Sequence, residues 1–244
     1  MLSVLYLTHY NLLVQVYLLY SAIAWRDLKD ETEPVLRALM RDNLDDARKS
    51  LSFVVGRDVN NLSEHEIISA AIETISENSI DGVISVMFYA FIGSLFNASC
   101  LCVWLFKAAS TLDSMIGYER FGGFGRFAAK LDDALNFIPA RLGGVIIADF
   151  NVRALRIFFH DRLNHKSPNS AHGESAFAGV LDIRLGGGAF YDGKFIARPV
   201  INSQGKNCEL HDIVMAWRLL DRSCALFALI ILLTELTLRN YMLL

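Results

Sequence analysis

The chain has 244 residues, of which 53% are apolar and 20% charged, with a net charge of −3 and a mean hydropathy of +0.35. The apolar share is high for an ordinary soluble domain, the charged share excludes a bundle of bare spans, and a membrane protein with substantial polar segments fits both. A nucleic-acid partner would want a basic surface, which this chain lacks.

The first element is an apolar stretch from Leu2 to Trp25, about 36 Å of helix against a hydrocarbon core of roughly 30 Å. It has neither the basic start nor the small-residue cleavage site of a removable leader. His9, Asn11 and Gln15 are uncharged polar residues suited to facing neighbouring helices. No Lys or Arg precedes this stretch, whereas Arg26, Lys29, Arg37, Arg41, Arg48, Lys49 and Arg57 come after it, which places that region in the cytoplasm. Residues 26–55 read as helix interrupted near Pro34. The polar string "VGRDVNNLSEHE" ends in a capping box, Ser63 with Glu66 three residues on, which starts the next helix.

That helix carries Glu73, Glu77 and Asp81 at every fourth position, one stripe of carboxylates. The run from Val83 to Phe106 then has no charged side chain, and "IGSLFNAS", around Gly93 and Asn97, divides it in two. A re-entrant helical hairpin is favoured over a single crossing, since broken helices are tolerated where protein or a cavity covers them. Residues 107–142 are polar, punctuated by glycine and then helical again. Gly143 to Phe159 holds Asp149, Arg153 and Arg156, and reads as a weak span or an interfacial helix. Residues 160–222 read as polar loop, and a final apolar helix runs from Cys224 to Leu238. Between Arg153 and Arg222, Lys and Arg outnumber acids ten to seven, consistent with a second cytosolic segment and leaving the number of crossings open.

Two readings compete for the stripe. A solvated helix face is the commoner meaning of acids at this spacing. However, none has a basic partner four residues away, and the stripe ends where the chain becomes lipid-compatible, where an unpaired acid is costly. A hard cation such as Mg²⁺, held by carboxylates and phosphate oxygens, would answer both objections. Asp113 in "STLDSM" and Asp132 with Asp133 in "KLDDALN" add further acids, among the cations Lys107, Arg120, Arg126 and Arg141. Such a mixture suits phosphate handling and proton abstraction from an amine, although each string alone more commonly means surface ion pairs. "GGFGRFAAK" lacks the Gly-Lys-Ser/Thr of a P-loop, and no HExxH or GxSxG occurs. His160 and His165 alone make no zinc site. Cys100, Cys102, Cys208 and Cys224 form no CxxC pair or zinc spacing, and the first two read as small hydrophobes.

Taken jointly, "VGRDVNNLSEHEIISAAIETISENSIDGVIS", "KAASTLDSMIGY", "ERFGGFGRFAAKLDDALNFIPARL", "SPNSAHGESAFAGVL" and "RLGGGAFYDGK" resemble the CobD/CbiB family of cobalamin biosynthesis, from about Tyr17 to Ile201. The resemblance implies an all-α polytopic membrane protein of the inner (cytoplasmic) membrane, with re-entrant or broken helices and polar cytosolic segments. The whole chain, 1–244, then forms one membrane-embedded domain without the family's upstream hydrophobic segment. It implies a ligase that uses ATP and Mg²⁺ to join adenosylcobyric acid to (R)-1-aminopropan-2-ol or its phosphate. Its partners would be those substrates, the lipid bilayer and other cobalamin-assembly enzymes, with no nucleic acid. On this resemblance the metal falls to Glu73, Glu77, Asp81 and Asp113, and catalysis to Asp113, Asp132, Asp133 and Lys107. Substrate contacts fall to Arg57, Asn78, Ser114, Tyr118, Arg120, Asn136, Arg141, Asn169 and Glu174. The chain departs from the family's usual pattern at Ser110 and Val86, and in a short link at Tyr118-Glu119. A non-enzymatic sensor akin to the β-lactamase-regulatory branch would have lost the acidic positions, which are present here. A transporter would use Glu73 to Asp81 as an ion relay.

Overall fold

The computed structural model describes residues 11–117 and 122–242. The chain is mostly helical, as expected. Helix α1 (Leu12–Ala22) starts at Asn11, whose Oδ1 accepts from the backbone of Leu13 and Val14. Then come α2 (Asp27–Leu39) and α3 (Leu44–Leu51). Pro34 does not interrupt α2: it lies on the exposed face, where the carbonyl its ring frees is open to water. The break comes instead at residues 40–43, where Asp42 takes φ 55° and Asn43 caps α3 through the backbone of Asp46.

Helix α4 (Glu64–Asn78) begins at the expected capping box, with the Ser63 amide donating to Glu66 Oε2 at 2.7 Å. It is the hub of the core: Ile67, Ile68, Ala71, Ile72 and Ile75 are fully buried. Its rod continues through a π-helical segment, Ser79–Ile84, into α5 (Ser85–Ser94). Wider turns rotate the residues beyond them, so Asp81 departs from the straight every-fourth-residue stripe that an unbroken α-helix would give.

A turn at Asn97 (φ 54°) folds α6 (Ser99–Ile116) back on α5. Gly93 makes this possible, since a Cβ there would lie 2.6 Å from the Ser99 backbone. The hairpin is thus present, but its second arm runs past Phe106 and Lys107 to Ile116, so residues 107–116 are helix and not the start of a polar connection. Tyr89 stacks on Phe106 at 4.9 Å in a small second core with Ala22, Val86 and Val103. Among the described residues, α6 is the one helix long and apolar enough to cross a bilayer.

Helix α7 (Gly122–Ile147) is followed by α8 (Val152–Asp161). Residues 143–159 are therefore not one span: Asp149 and Phe150, with φ 53° and 55°, make a turn, and Asn151 caps α8. The expected loop at 160–222 is also corrected. It contains α9 (Ser170–Leu181), buried almost throughout, and two small antiparallel sheets. One pairs β1 (Leu185–Gly186) with β4 (Val200–Ile201), and the other pairs β2 (Ala189–Tyr191) with β3 (Lys194–Ile196). The last helix, α10 (Leu210–Met242), starts well before Cys224.

Candidate functional site

The floor of the site is the C-terminal half of α4. Glu73 is buried there, and its carboxylate is already engaged. Arg57, from the loop before α4, pairs with its Oε2, while Oε1 accepts from the Gly186 amide at 3.0 Å and the Ser69 hydroxyl at 3.1 Å. The pair is largely withdrawn from water, with side-chain exposures of 15% and 5%. The acid expected to lack a basic partner thus finds one across the fold, and its lone pairs are turned to structure.

Glu77 and Asp81 differ. Glu77 is reached by solvent, yet desolvation is the main influence on it and raises its pKa, as for a carboxylate lining a recess. Asp81 is held well above its ordinary range, first by desolvation and then by Glu77, Asp132, Asp113 and Asp133, all of them like charges. The neighbouring wall is α7, which Gly143 lets approach closely: a Cβ there would meet the Ile80 and Ile84 side chains at 3.2–3.3 Å.

On α7, Asp132 Oδ2 accepts from Asn136 Nδ2 at 3.0 Å, and Asn136 Oδ1 accepts from the Ser85 hydroxyl at 2.7 Å. Asp132 Oδ1 is left buried without a hydrogen-bond partner. Burial, with Asp113 and Asp133 adding repulsion against the Asn136 bond, pushes the Asp132 carboxyl up to about 6. Asp133 faces another way: its Oδ1 accepts from the Ser167 hydroxyl at 2.7 Å, and its carbonyl accepts from Asn169 Nδ2 at 2.8 Å. Asn169 Oδ1 in turn accepts from Arg141 Nη1 at 3.2 Å. Asp113, near the end of α6, folds over Gly117, whose missing Cβ leaves the room its Oδ1 occupies.

Helix α9 closes the other side. Gly173 brings it against α4 so tightly that a Cβ there would lie 2.2 Å from the Ser76 carbonyl oxygen. Glu174 comes next, buried and held well above the ordinary range by desolvation and by Glu73 and Glu77. Arg57 and Arg198 oppose that rise. Sequence reasoning misses His165 and Arg198 as site residues. His165 lies beside Glu174, and Arg198 acts on Glu77, Glu174 and His165. The only sequence signal for either is a basic residue near a proline, in "HKSP" and "ARPV".

The remaining expected residues divide. Asn136, Arg141 and Asn169 belong to the network just described. Asn78 spends its amide donor on the Thr74 carbonyl at 3.0 Å, and the exposed Ser114 hydroxyl donates to its own helix. Lys107 is half-buried on α6, with no hydrogen bond or ion pair among the described residues. Tyr118 and Arg120 lie outside the described residues. The donors available to a hard cation are the oxygens of Glu77, Asp81, Asp113 and Asp132. Among the described residues, no three His, Cys, Asp or Glu side chains converge closely enough to form a ready-made metal site.

The model of the CobD/Cbib protein family matches residues 1–220. The cobalamin biosynthesis protein CobD of Clostridium perfringens is 43% identical over 205 residues, covering 80% of this chain and 64% of the relative. CobD of Yersinia enterocolitica is 38% identical over 236 residues, covering 93% of this chain and 72% of the relative. CbiB of Salmonella typhimurium is 36% identical over 216 residues, covering 85% and 66%. The chain thus spans about two thirds of the length of such relatives. No solved structure matches it.

Proposed function

This chain belongs to the CobD/CbiB family, and on that premise we propose that it acts in cobalamin biosynthesis as an acid–amine ligase. The reaction joins adenosylcobyric acid to (R)-1-aminopropan-2-ol or its phosphate, with ATP as the driving co-substrate. The observation that carries this reading is the set of acids borne by α4, the π segment, α6 and α7: Asp132 keeps one buried oxygen without a partner, and Asp81 is held up by desolvation and by the like charge of Glu77, Asp132, Asp113 and Asp133. Such repulsion is costly unless the site is meant to receive positive charge.

A carboxylate does not react with an amine unaided. Transfer of a phosphoryl group from ATP to one carboxylate oxygen turns that oxygen into a leaving group. The amine nitrogen then bonds to the acyl carbon, phosphate departs, and the nitrogen sheds a proton. Asp132, with one free buried oxygen and a carboxyl near neutrality, is suited to accept that proton. One or two of Glu77, Asp81 and Asp113 would supply the carboxylate oxygens for magnesium, with phosphate oxygens completing the set, and the ion when bound would balance phosphate charge. Glu73, tied to Arg57 and Gly186, is assigned to positioning. Arg141 and Asn169, bonded to each other and to the α7 backbone, are assigned to positioning.

The same reading puts the exposed apolar side of the α5–α6 hairpin, with Leu95, Phe96, Leu101, Trp104 and Leu105, in the bilayer. The acid recess then opens to the cytosol, where nucleotide and corrinoid are dissolved. Complementation of a synthase-deleted strain tests the proposal. Growth is expected with the wild-type chain and not with Asp81→Asn or Asp113→Asn. Growth of both variants at the wild-type rate would remove the proposed roles. Transfer of ¹⁸O from the substrate carboxylate to inorganic phosphate would support the acyl-phosphate route, and its absence would count against it.

A further inference from the structure

Beside the acids of the site stands Arg198, a cation that no carboxylate has claimed. Arg198 is half-buried and has no ion pair or hydrogen bond among the described residues, and its guanidinium lies 5.3 Å from the centre of the Tyr191 ring. Its charge nevertheless reaches Glu77, Glu174 and His165. Arg57, which acts on the same groups, is committed to Glu73. Arg141 is also engaged, donating to the Phe137 carbonyl and to Asn169.

The backbone that carries Arg198 is fixed. The carbonyl of the next residue, Pro199, accepts from the Gly187 amide at 3.1 Å, and β4 pairs immediately afterwards with β1. Strand β1 is in turn pinned to the site floor by the Gly186 amide on Glu73. Gly186 and Gly187, at φ 75° and 88°, adopt the left-handed conformation this route requires. The β2–β3 hairpin preceding Arg198 is clamped at two points by Asp58. Its amide donates to the Phe190 carbonyl, and its Oδ2 accepts from the Gly193 amide, both at 2.8 Å. Arg198 is therefore not a cation on a loose loop. A tethered guanidinium at the edge of a carboxylate recess, with its forked donors unspent, has the chemistry of an anion receptor.

We propose that Arg198 binds a phosphate group of a substrate at the rim of this recess. The phosphate could be that of the nucleotide or that of a phosphorylated amino alcohol, and the proposal rests on the ligase reading only for which of them it is. Arg198→Met and Arg198→Lys, checked for unchanged thermal unfolding, are compared with wild type in amide-forming assays. ATP, the free amino alcohol and its phosphate are each varied. Loss of a charged hydrogen-bonding pair should raise one KM about ten- to a hundredfold in Arg198→Met, with partial recovery in Arg198→Lys. A rise confined to ATP identifies the nucleotide. A rise confined to the phosphorylated amine, with the free amine unchanged, identifies that substrate. Unchanged KM values for both phosphate-bearing substrates would overturn the proposal. If the wild-type chain forms no amide, the ligase reading fails on its own, and calorimetric binding of inorganic pyrophosphate then decides. Binding lost in Arg198→Met supports the assignment, and binding retained overturns it.

Discussion

Glu174 Oε2 lies 3.4 Å from His165 Nε2, and neither of these buried atoms has a hydrogen-bond partner. Desolvation raises the acid well above its ordinary range and lowers the histidine, so burial disfavours the charged form of each. An acid whose pKa is raised by folding gives its full stability below the unfolded value of 4.5 and loses it as pH rises towards the folded value. Glu174→Gln should therefore match wild type near pH 5 and exceed it increasingly by pH 8. Thermal unfolding across that range measures the gap, at about 2–4 °C for each kcal/mol.

His172 obeys the opposite sign. It is fully buried, neither ring nitrogen has a partner, and desolvation with the nearby Arg141 and Arg162 lowers it to about 4. Its contribution is complete above the unfolded value of 6.5 and is lost as pH falls towards 4. His172→Leu removes two unsatisfied atoms at little change in volume. It should be more stable than wild type at pH 5, with the advantage shrinking by pH 8.

The Arg57–Glu73 pair anchors β1 and through it the Arg198 segment. Because both partners are largely buried, Arg57→Met or Glu73→Gln alone should cost about 3–5 kcal/mol. The double variant should lose clearly less than the sum of the two. A double-mutant cycle in equilibrium denaturation checks this coupling.

Gly173 is where α9 touches α4. Gly173→Ala would press a methyl against the Ser76 carbonyl, a backbone atom that cannot swing aside. It should cost about 1–3 kcal/mol or more in stability and separate Glu174 from the acid recess. Thermal unfolding and ligase activity should fall together.

Much of this arrangement is legible in the residues. The Ser63–Glu66 capping box, the break at Asn97 and the acids of α4 and α7 are local signals, written in spacing and in residue type. The part that cannot be read is carried by long-range contacts. Glu73 looks unpaired in the sequence because Arg57 reaches it across a loop and Gly186 from a distant strand. The π segment, which turns Asp81, leaves no mark in hydrophobic periodicity. Helix α9 reads as loop because its Gly, Ser and Ala residues signal turns locally, while in the fold those same small side chains permit close packing. Residues 149–150 break an apparent span through two successive positive φ values, which Asp149 tolerates but Phe150 does not advertise.

If Asp132 accepts the amine proton, it works only when ionised. The rate of amide formation should rise with pH through about 6 and be lost below it. Asp132→Asn should lower kcat by about a hundredfold or more and abolish that rise, while the melting temperature changes little. The pH–rate profiles of the two proteins provide the comparison.

The most direct test of the ligase reading is to follow ADP release and amide formation by the purified, lipid-reconstituted chain supplied with adenosylcobyric acid, aminopropanol or its phosphate, ATP and magnesium. The prediction is one ADP released per amide formed, with Asp81→Asn reducing both together by about a hundredfold or more. No amide from the wild-type protein, or an Asp81→Asn variant as fast as wild type, would contradict it.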